Sequence, residues 1–261
     1  MMKTLVRRIY KAIKFQNLSL LKSSGVQGLT FLGSDYGRKA VLLDQIGDGA
    51  IISAGVGEDI SFDIELMNVC RKPIVLCDPT PRAIGHVNQV LATLGKAKRS
   101  EYSSTGSQNV TAYELTNISA SDINFYAKAL WTVPTVLRFF APKDPAHVSH
   151  SISNWQNDYK VDTSYIDVET VTLKDLMEVN DIDCIDLLKV DIEGAEIEVL
   201  NKMLDDDIHP RQICVEFDEL NSANKERITN CFKLIKRMRA VGYKLIYFDG
   251  LCDFTFIMDP Q

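Results

Sequence analysis

Two stretches of the chain hold the residue types that chemistry on a small molecule requires. The first, Ala50-Ile51-Ile52-Ser53-Ala54-Gly55-Val56-Gly57-Glu58-Asp59, sets two glycines and two acids directly after an apolar run. The second, Ile185-Asp186-Leu187-Leu188-Lys189-Val190-Asp191-Ile192-Glu193-Gly194-Ala195-Glu196, again ends an apolar run in acids and a glycine. Gly55 and Gly57 permit backbone angles and close approaches that a β-carbon obstructs. A helix starting near Ile60 would turn its unpaired N–H groups and positive dipole end to the same place. Two glycines alone fit an ordinary strand-to-helix turn just as well.

The spacing narrows the ligand. A dinucleotide fingerprint needs a third glycine where this chain has Ile60, so the pyrophosphate reading loses ground. Glu58 and Asp59 would repel a diphosphate at a helix N-terminus and favour a cation. S-adenosylmethionine is such a cation, carrying an ammonium and a sulfonium, and it binds in a strand–helix crevice of this kind. Asp78 follows the apolar run Ile74-Val75-Leu76-Cys77, where an acid can accept both ribose hydroxyls. Pro79-Thr80-Pro81 comes next, so a turn or cap role is the plain alternative.

These residues need a sheet to hold them. Ala50–Ile52 reads as a buried strand and the residues from Ile60 as a helix, the apolar rhythm changing at the glycines. Leu29 to Asp44 predicts a β-hairpin with its turn at Tyr36-Gly37, covering the cradle's edge. Arg82 to Leu94 predicts a helix capped at Gly95. Val110 to Leu115 alternates as a strand and Ile123 to Ala127 as a short extended piece; Asn117 and Ile118, after the first of these, either lie over the crevice against the adenine or form a plain turn. Strands at Val168–Thr172, Ile185–Asp191 and Ile213–Glu219 follow, with helices over Leu173–Val179 and Ala223–Val241 and a terminal hairpin of Tyr243–Phe248 and Asp253–Met258. The strand ending in Asp191 and Glu193 falls opposite the glycine turn, across the point where such a sheet reverses its order. Lys189 shares the parity of Asp191, so the two could pair on one face.

Residues 132–162 are irregular and rich in proline, as a substrate lid would be. His147 and His150 lie in it, and a histidine takes a proton near neutral pH, although a loop histidine is commonly a surface residue. Their spacing suits a metal pair, but no third ligand of matching type is nearby. Asp191, Glu193 and Glu216 offer oxygen ligands that Mg²⁺ accepts, and Mg²⁺ stays the less favoured variant.

The 261 residues form one large α/β unit, with residues 1–48 as an N-terminal helix and β lead-in packed on a main domain of residues 49–261. A composition 46% hydrophobic and 25% charged, with net charge −6, gives no pull towards nucleic acid or anionic membrane. Residues 3–21 suggest a basic amphipathic helix that docks on the domain or makes weak membrane-surface contact. The six cysteines show no Cys-x-x-Cys pair and read as reduced core residues; with no secretory leader or membrane span, the cytoplasm fits.

With both motifs placed, residues Tyr36 to Met258 resemble the FkbM family of S-adenosylmethionine-dependent methyltransferases. The most specific part is Leu187 to Leu200, followed by Ile213 to Glu216. Ser53, Gly55, Gly57, Asp59, Ser61, Phe62 and Asp63 are similar to a subgroup's opening turn, and Pro142 to Ser151 to another segment of that subgroup. The chain departs from the general pattern at Ser53, often an acid, at Asp59, often a glycine, and after Tyr36-Gly37, where Gly-Trp is absent.

The resemblance implies a Rossmann-like, doubly wound, mostly parallel sheet with an antiparallel C-terminal strand, the class I methyltransferase fold. It also implies O-methylation of a hydroxyl on a sugar, glycan or small natural product. Ser53, Gly55, Val56, Gly57, Asp59, Asp78, Asn117, Ile118 and Asp191 are then the expected cofactor-binding residues. Asp191 and Glu193, with His147 or His150 as base, are the expected catalytic ones. A silent S-adenosylmethionine-binding module and a nicotinamide-dependent oxidoreductase are the competing readings. The sequence leaves the acceptor and the oligomeric state open.

Overall fold

The computed structural model describes residues 26–141, 152, 163–221 and 224–259. The basic helix expected over residues 3–21, the histidines His147 and His150 and most of the 132–162 segment lie outside the described residues. No helix among the described residues is long and apolar enough to cross a membrane.

In chain order, the hairpin β1 (Leu29–Leu32) and β2 (Lys39–Leu42) comes first. Then follow β3 (Ala50–Ala54), α1 (Ser61–Cys70), β4 (Ile74–Cys77), α2 (Pro81–Leu91) and β5 (Ile123–Tyr126). A small sheet is made from β6 (Ala129–Leu130), β7 (Val136–Phe140) and β8 (Tyr165–Val171). The remainder is α3 (Leu173–Val179), β9 (Ile185–Val190), α4 (Glu196–Asp205), β10 (Gln212–Glu216), α5 (Lys225–Ala240), β11 (Tyr243–Phe248) and β12 (Asp253–Met258).

The main sheet has the order β11-β12-β10-β9-β3-β4-β5. β10, β9, β3, β4 and β5 run parallel, whereas β12 is antiparallel to both β10 and β11. The predicted terminal hairpin exists, and its second strand is the one wedged inside the sheet. Apolar runs such as Ile51-Ile52 and Leu187-Leu188 are needed because both faces are covered. Ile52, Val75 and Leu188 pack on the side of α3, α4 and α5, and Ile51, Ile74 and Leu187 on the side of α1 and α2. Each such fully buried side chain contributes roughly 1.5–3 kcal/mol.

The order reverses between β3 and β9, which leave a crevice at their carboxyl ends. One predicted strand is absent. Val110–Ala112 is a single 3-10 turn, because the Asn109 side chain accepts from Thr111 N at 2.9 Å and offers the backbone a local alternative to pairing. The sheet edge beside β4 is taken by β5 instead. Within the segment 132–162, residues 132–141 are more regular than expected, since β7 pairs antiparallel with β8 inside the small sheet.

Candidate functional site

A cavity of about 260 Å³ opens at the carboxyl ends of the central strands. Its walls come from Gly55 to Asp59 after β3, Asp78 to Thr80 after β4, Ala129 to Trp131, Asp191 to Glu193 after β9, and Glu216 and Asp253. Tyr36 and Gly37 of the β1–β2 turn close one edge, as the sequence predicted, and Leu137, Phe139 and Ile152 add apolar wall from the small sheet.

The two motif clusters meet through their backbones. Gly55 adopts φ +76°, and a β-carbon there would lie 1.6 Å from the carbonyl oxygen of Asp191. Only glycine lets β3 and β9 end this close together. Asp191 N donates to Ala54 O at 3.1 Å, and Gly55 N to Cys77 O at 2.9 Å, which ties the turn to both neighbouring strands. Gly57 has φ +54° with open space beyond its α-carbon.

Asp78 organises the turn from below. Its Oδ2 accepts from Val56 N and Gly57 N, both at 3.0 Å. Its Oδ1 accepts from Thr80 N at 2.8 Å and Thr80 Oγ1 at 2.7 Å. The turn's two best-placed donors are therefore spent on a carboxylate of the same chain. Asp59 is similarly engaged: Oδ1 accepts from Ser61 N, and Oδ2 from Ser34 Oγ and Gln108 Nε2. It pins the hairpin turn to the start of α1 while lining the cavity. Glu58 pairs with Arg82 at 2.6 Å.

Glu196, the first residue of α4, shapes the second cluster. Its carboxylate reaches back to accept from Ile192 N at 2.8 Å and Gly194 N at 2.9 Å, so the loop that carries Asp191 and Glu193 is held from inside. Glu193 sits in the left-handed region at φ +58°, a conformation that persists in a non-glycine residue only where the surroundings impose it. Its side chain hydrogen-bonds with Asp218.

Lys189 does not pair with Asp191. Its ammonium donates to Gly55 O at 2.7 Å and faces the fully buried Asp63 of α1, whose carboxyl is raised by burial and pulled back by the Lys189 charge. Asp191 pairs instead with Lys39 of β2, 3.4 Å away. The same ammonium lies 3.2 Å from Glu216 and also contacts Asp253. The neighbouring Asp191 charge and burial together push the Glu216 carboxyl up to about 7. Lys39 itself is held well above the usual lysine range, three carboxylates outweighing its burial.

Of the sequence-derived candidates, Gly55, Val56, Gly57, Asp59, Asp78, Asp191 and Glu193 line this one cavity. Ser53 does not. It pairs in register with Lys189 and is buried on the α1 side of the sheet. Asn117 and Ile118 do not either: the strand that borders β4 is β5, so the residues reaching the cavity follow Tyr126, while Ile118 is buried in the core and Asn117 is exposed. His147 and His150 lie outside the described residues. Lys39, Asp253 and Trp131 were not singled out by sequence. For Lys39 the one available signal was a lysine opening an apolar run, Lys39-Ala40-Val41-Leu42.

Two comparisons return nothing, as no curated protein and no solved structure matches the chain. The third does: the model of the methyltransferase FkbM domain matches residues 51–245, from the first motif cluster into β11.

Proposed function

The chain belongs to the FkbM methyltransferase family, and from that premise we propose that it is a class I, S-adenosylmethionine-dependent O-methyltransferase acting on a hydroxyl of a sugar, glycan or small natural product. One observation carries the choice of ligand: Val56 N and Gly57 N both donate to Asp78. A diphosphate would need those donors at the glycine turn. A cationic ligand does not, and the acids Asp59 and Glu193 favour it along the same cavity. The strand order and the inserted antiparallel strand support the class I reading.

In this reading Gly55, Val56, Gly57 and Asp59 flank the ligand's amino-acid end, and Asp78 serves the ribose. Thr80 Oγ1, now bonded to Asp78, is the partner that a ribose hydroxyl would replace. Asp191 and Glu193 form the opposing wall. When bound, the sulfonium supplies an electrophilic methyl group. The protein then has to align an acceptor oxygen and keep out water. Trp131, Leu137 and Phe139 supply the apolar wall for that. A sugar hydroxyl is a weak acid, so a nearby base speeds its attack. Asp191 and Glu193 border the acceptor space, and His150 or His147 assists deprotonation from the lid segment. None of the six cysteines forms a disulfide, in keeping with a cytoplasmic enzyme.

Calorimetry of the full chain against S-adenosylhomocysteine and NAD tests the ligand, and a screen for methyl transfer from labelled S-adenosylmethionine to deoxy-sugar and glycan acceptors tests the reaction. Binding of S-adenosylhomocysteine with transfer to a hydroxyl is expected. Binding of NAD alone would overturn the reading, and cofactor binding without transfer to any acceptor would leave a silent binding module.

A further inference from the structure

The matched domain begins at residue 51 and ends at residue 245, yet two of the charges at the cavity lie beyond it. Lys39 comes from β2 and Asp253 from the start of β12. Lys39 is only 5% exposed, and its ammonium contacts Asp191, Glu216 and Asp253, carboxylates delivered by three adjacent strands or strand ends. Like charges brought this close repel strongly in a half-buried setting, and a cation among them relieves that repulsion. Three such oxygens also make a donor set that a hard divalent ion takes. The lysine fills that place with a covalently attached charge.

We propose that Lys39 is a positioning residue, the built-in cation that gathers Asp191, Glu216 and Asp253 at the acceptor end of the cavity, so that methyl transfer here uses no divalent ion. The role in transfer rests on the methyltransferase reading above; the role as cation does not. The β1–β2 hairpin is then part of the catalytic unit rather than a lead-in packed on it. Three functions converge on one side chain: it orients Asp191 against the glycine turn, it fixes the Glu216 carboxylate at the cavity, and it anchors the hairpin whose turn closes the cavity edge.

The test uses the full chain, Mn²⁺ as the probe and electron paramagnetic resonance as the readout. Wild type is expected to bind no Mn²⁺ at this cluster and to keep its transfer rate in EDTA. Lys39→Ala vacates the cation's place, and the variant is expected to gain one Mn²⁺ site that a further Asp253→Asn exchange removes. Its transfer rate should fall by about 10²-fold, the scale of a catalytic wall displaced by an ångström, with S-adenosylhomocysteine affinity nearly kept. Lys39→Arg, which retains the charge, should recover part of the rate. Should Lys39→Ala not fold, Lys39→Met combined with Asp253→Asn conserves the cluster's net charge and is expected to lose transfer in the same way. Mn²⁺ binding by wild type that Glu216→Gln abolishes, transfer stopped by EDTA, or full activity in the lysine variants would each overturn the proposal. Failure of wild type to bind S-adenosylhomocysteine would strike the methyltransferase reading and leave the Mn²⁺ result standing.

Discussion

Gly55 and Gly57 lie in one turn, both at positive φ, and alanine at each is expected to act very differently. At Gly57 a β-carbon meets nothing within 4 Å, so the cost is the left-handed backbone alone, about 1–2 kcal/mol. At Gly55 the same penalty applies, and the β-carbon also falls 1.6 Å from Asp191 O and 2.5 Å from its carbonyl carbon. Backbone cannot rotate away as a side chain does. Relief requires parting β3 from β9 where Ala54 and Val190 pair and Asp191 N bonds to Ala54 O. Overpacking of that kind adds about 1–3 kcal/mol, for a total of roughly 2–5 kcal/mol. At about 2–4 °C per kcal/mol for a domain of this size, Gly55→Ala should lower Tm by some ~4–20 °C and Gly57→Ala by ~2–8 °C. Scanning calorimetry gives the shifts, and urea titration checks that the transition slope is unchanged. S-adenosylhomocysteine binding should be lost in the first variant and weakened in the second, with Gly57→Asn closer to wild type because asparagine tolerates this conformation. Equal Tm shifts for the two alanine variants, or a milder effect at Gly55, would refute the argument from backbone closure.

Three other outcomes follow from the geometry. Lys189→Met leaves the buried Asp63 carboxyl without the positive charge that acts on it and should destabilise the fold by about 1–3 kcal/mol; adding Asp63→Leu should restore much of that, and a double variant no more stable than the single one would contradict the coupling. Burial pushes the Glu219 carboxyl up to about 7 from an ordinary 4.5, so between those pH values the native chain holds a proton that the unfolded chain has released. Stability therefore falls as pH rises through that window, by up to ~3 kcal/mol for this group, and Glu219→Gln should flatten the slope in urea melts at acid and alkaline pH, with Glu216 keeping a remainder of the same sign. Asp78→Asn, which loses a charged acceptor shared by the turn and the proposed ribose, should weaken S-adenosylhomocysteine binding by about 10–100-fold, and unchanged affinity by calorimetry would sink that role.

Much of this arrangement was legible because local pattern and global fold agree. The apolar runs at Ile51, Ile74, Leu187 and Ile213 mark the four parallel strands at the sheet's centre, and the acids and glycines that end them mark the crevice. What escaped was set by register and by distance along the chain. Ser53 matched a family position, but pairing with Lys189 turns it towards α1. The alternation in Val110 to Leu115 resembled a strand, and a single Asn109 side chain converts it to a turn. Lys39 and Asp253 stand 214 positions apart, and no periodicity within either segment announces that they meet. The acids after β9 were placed correctly, whereas the partner of Asp191 came from a hairpin that local reasoning treated as a cover.

The insertion of β12 between β10 and β11 also sets an order of events during synthesis. β11 emerges first and has β12 as its neighbour in the sheet, so it cannot dock until the residues that follow it have been made. The same delay leaves Lys39, among the earliest described residues, short of one of its three carboxylates until Asp253 arrives. A nascent chain stalled before residue 253 would hold an open sheet edge at β10 and an incomplete charge cluster, a state prone to pair with other chains. The cavity thus becomes complete late, and a partly made chain has no finished crevice to offer a ligand.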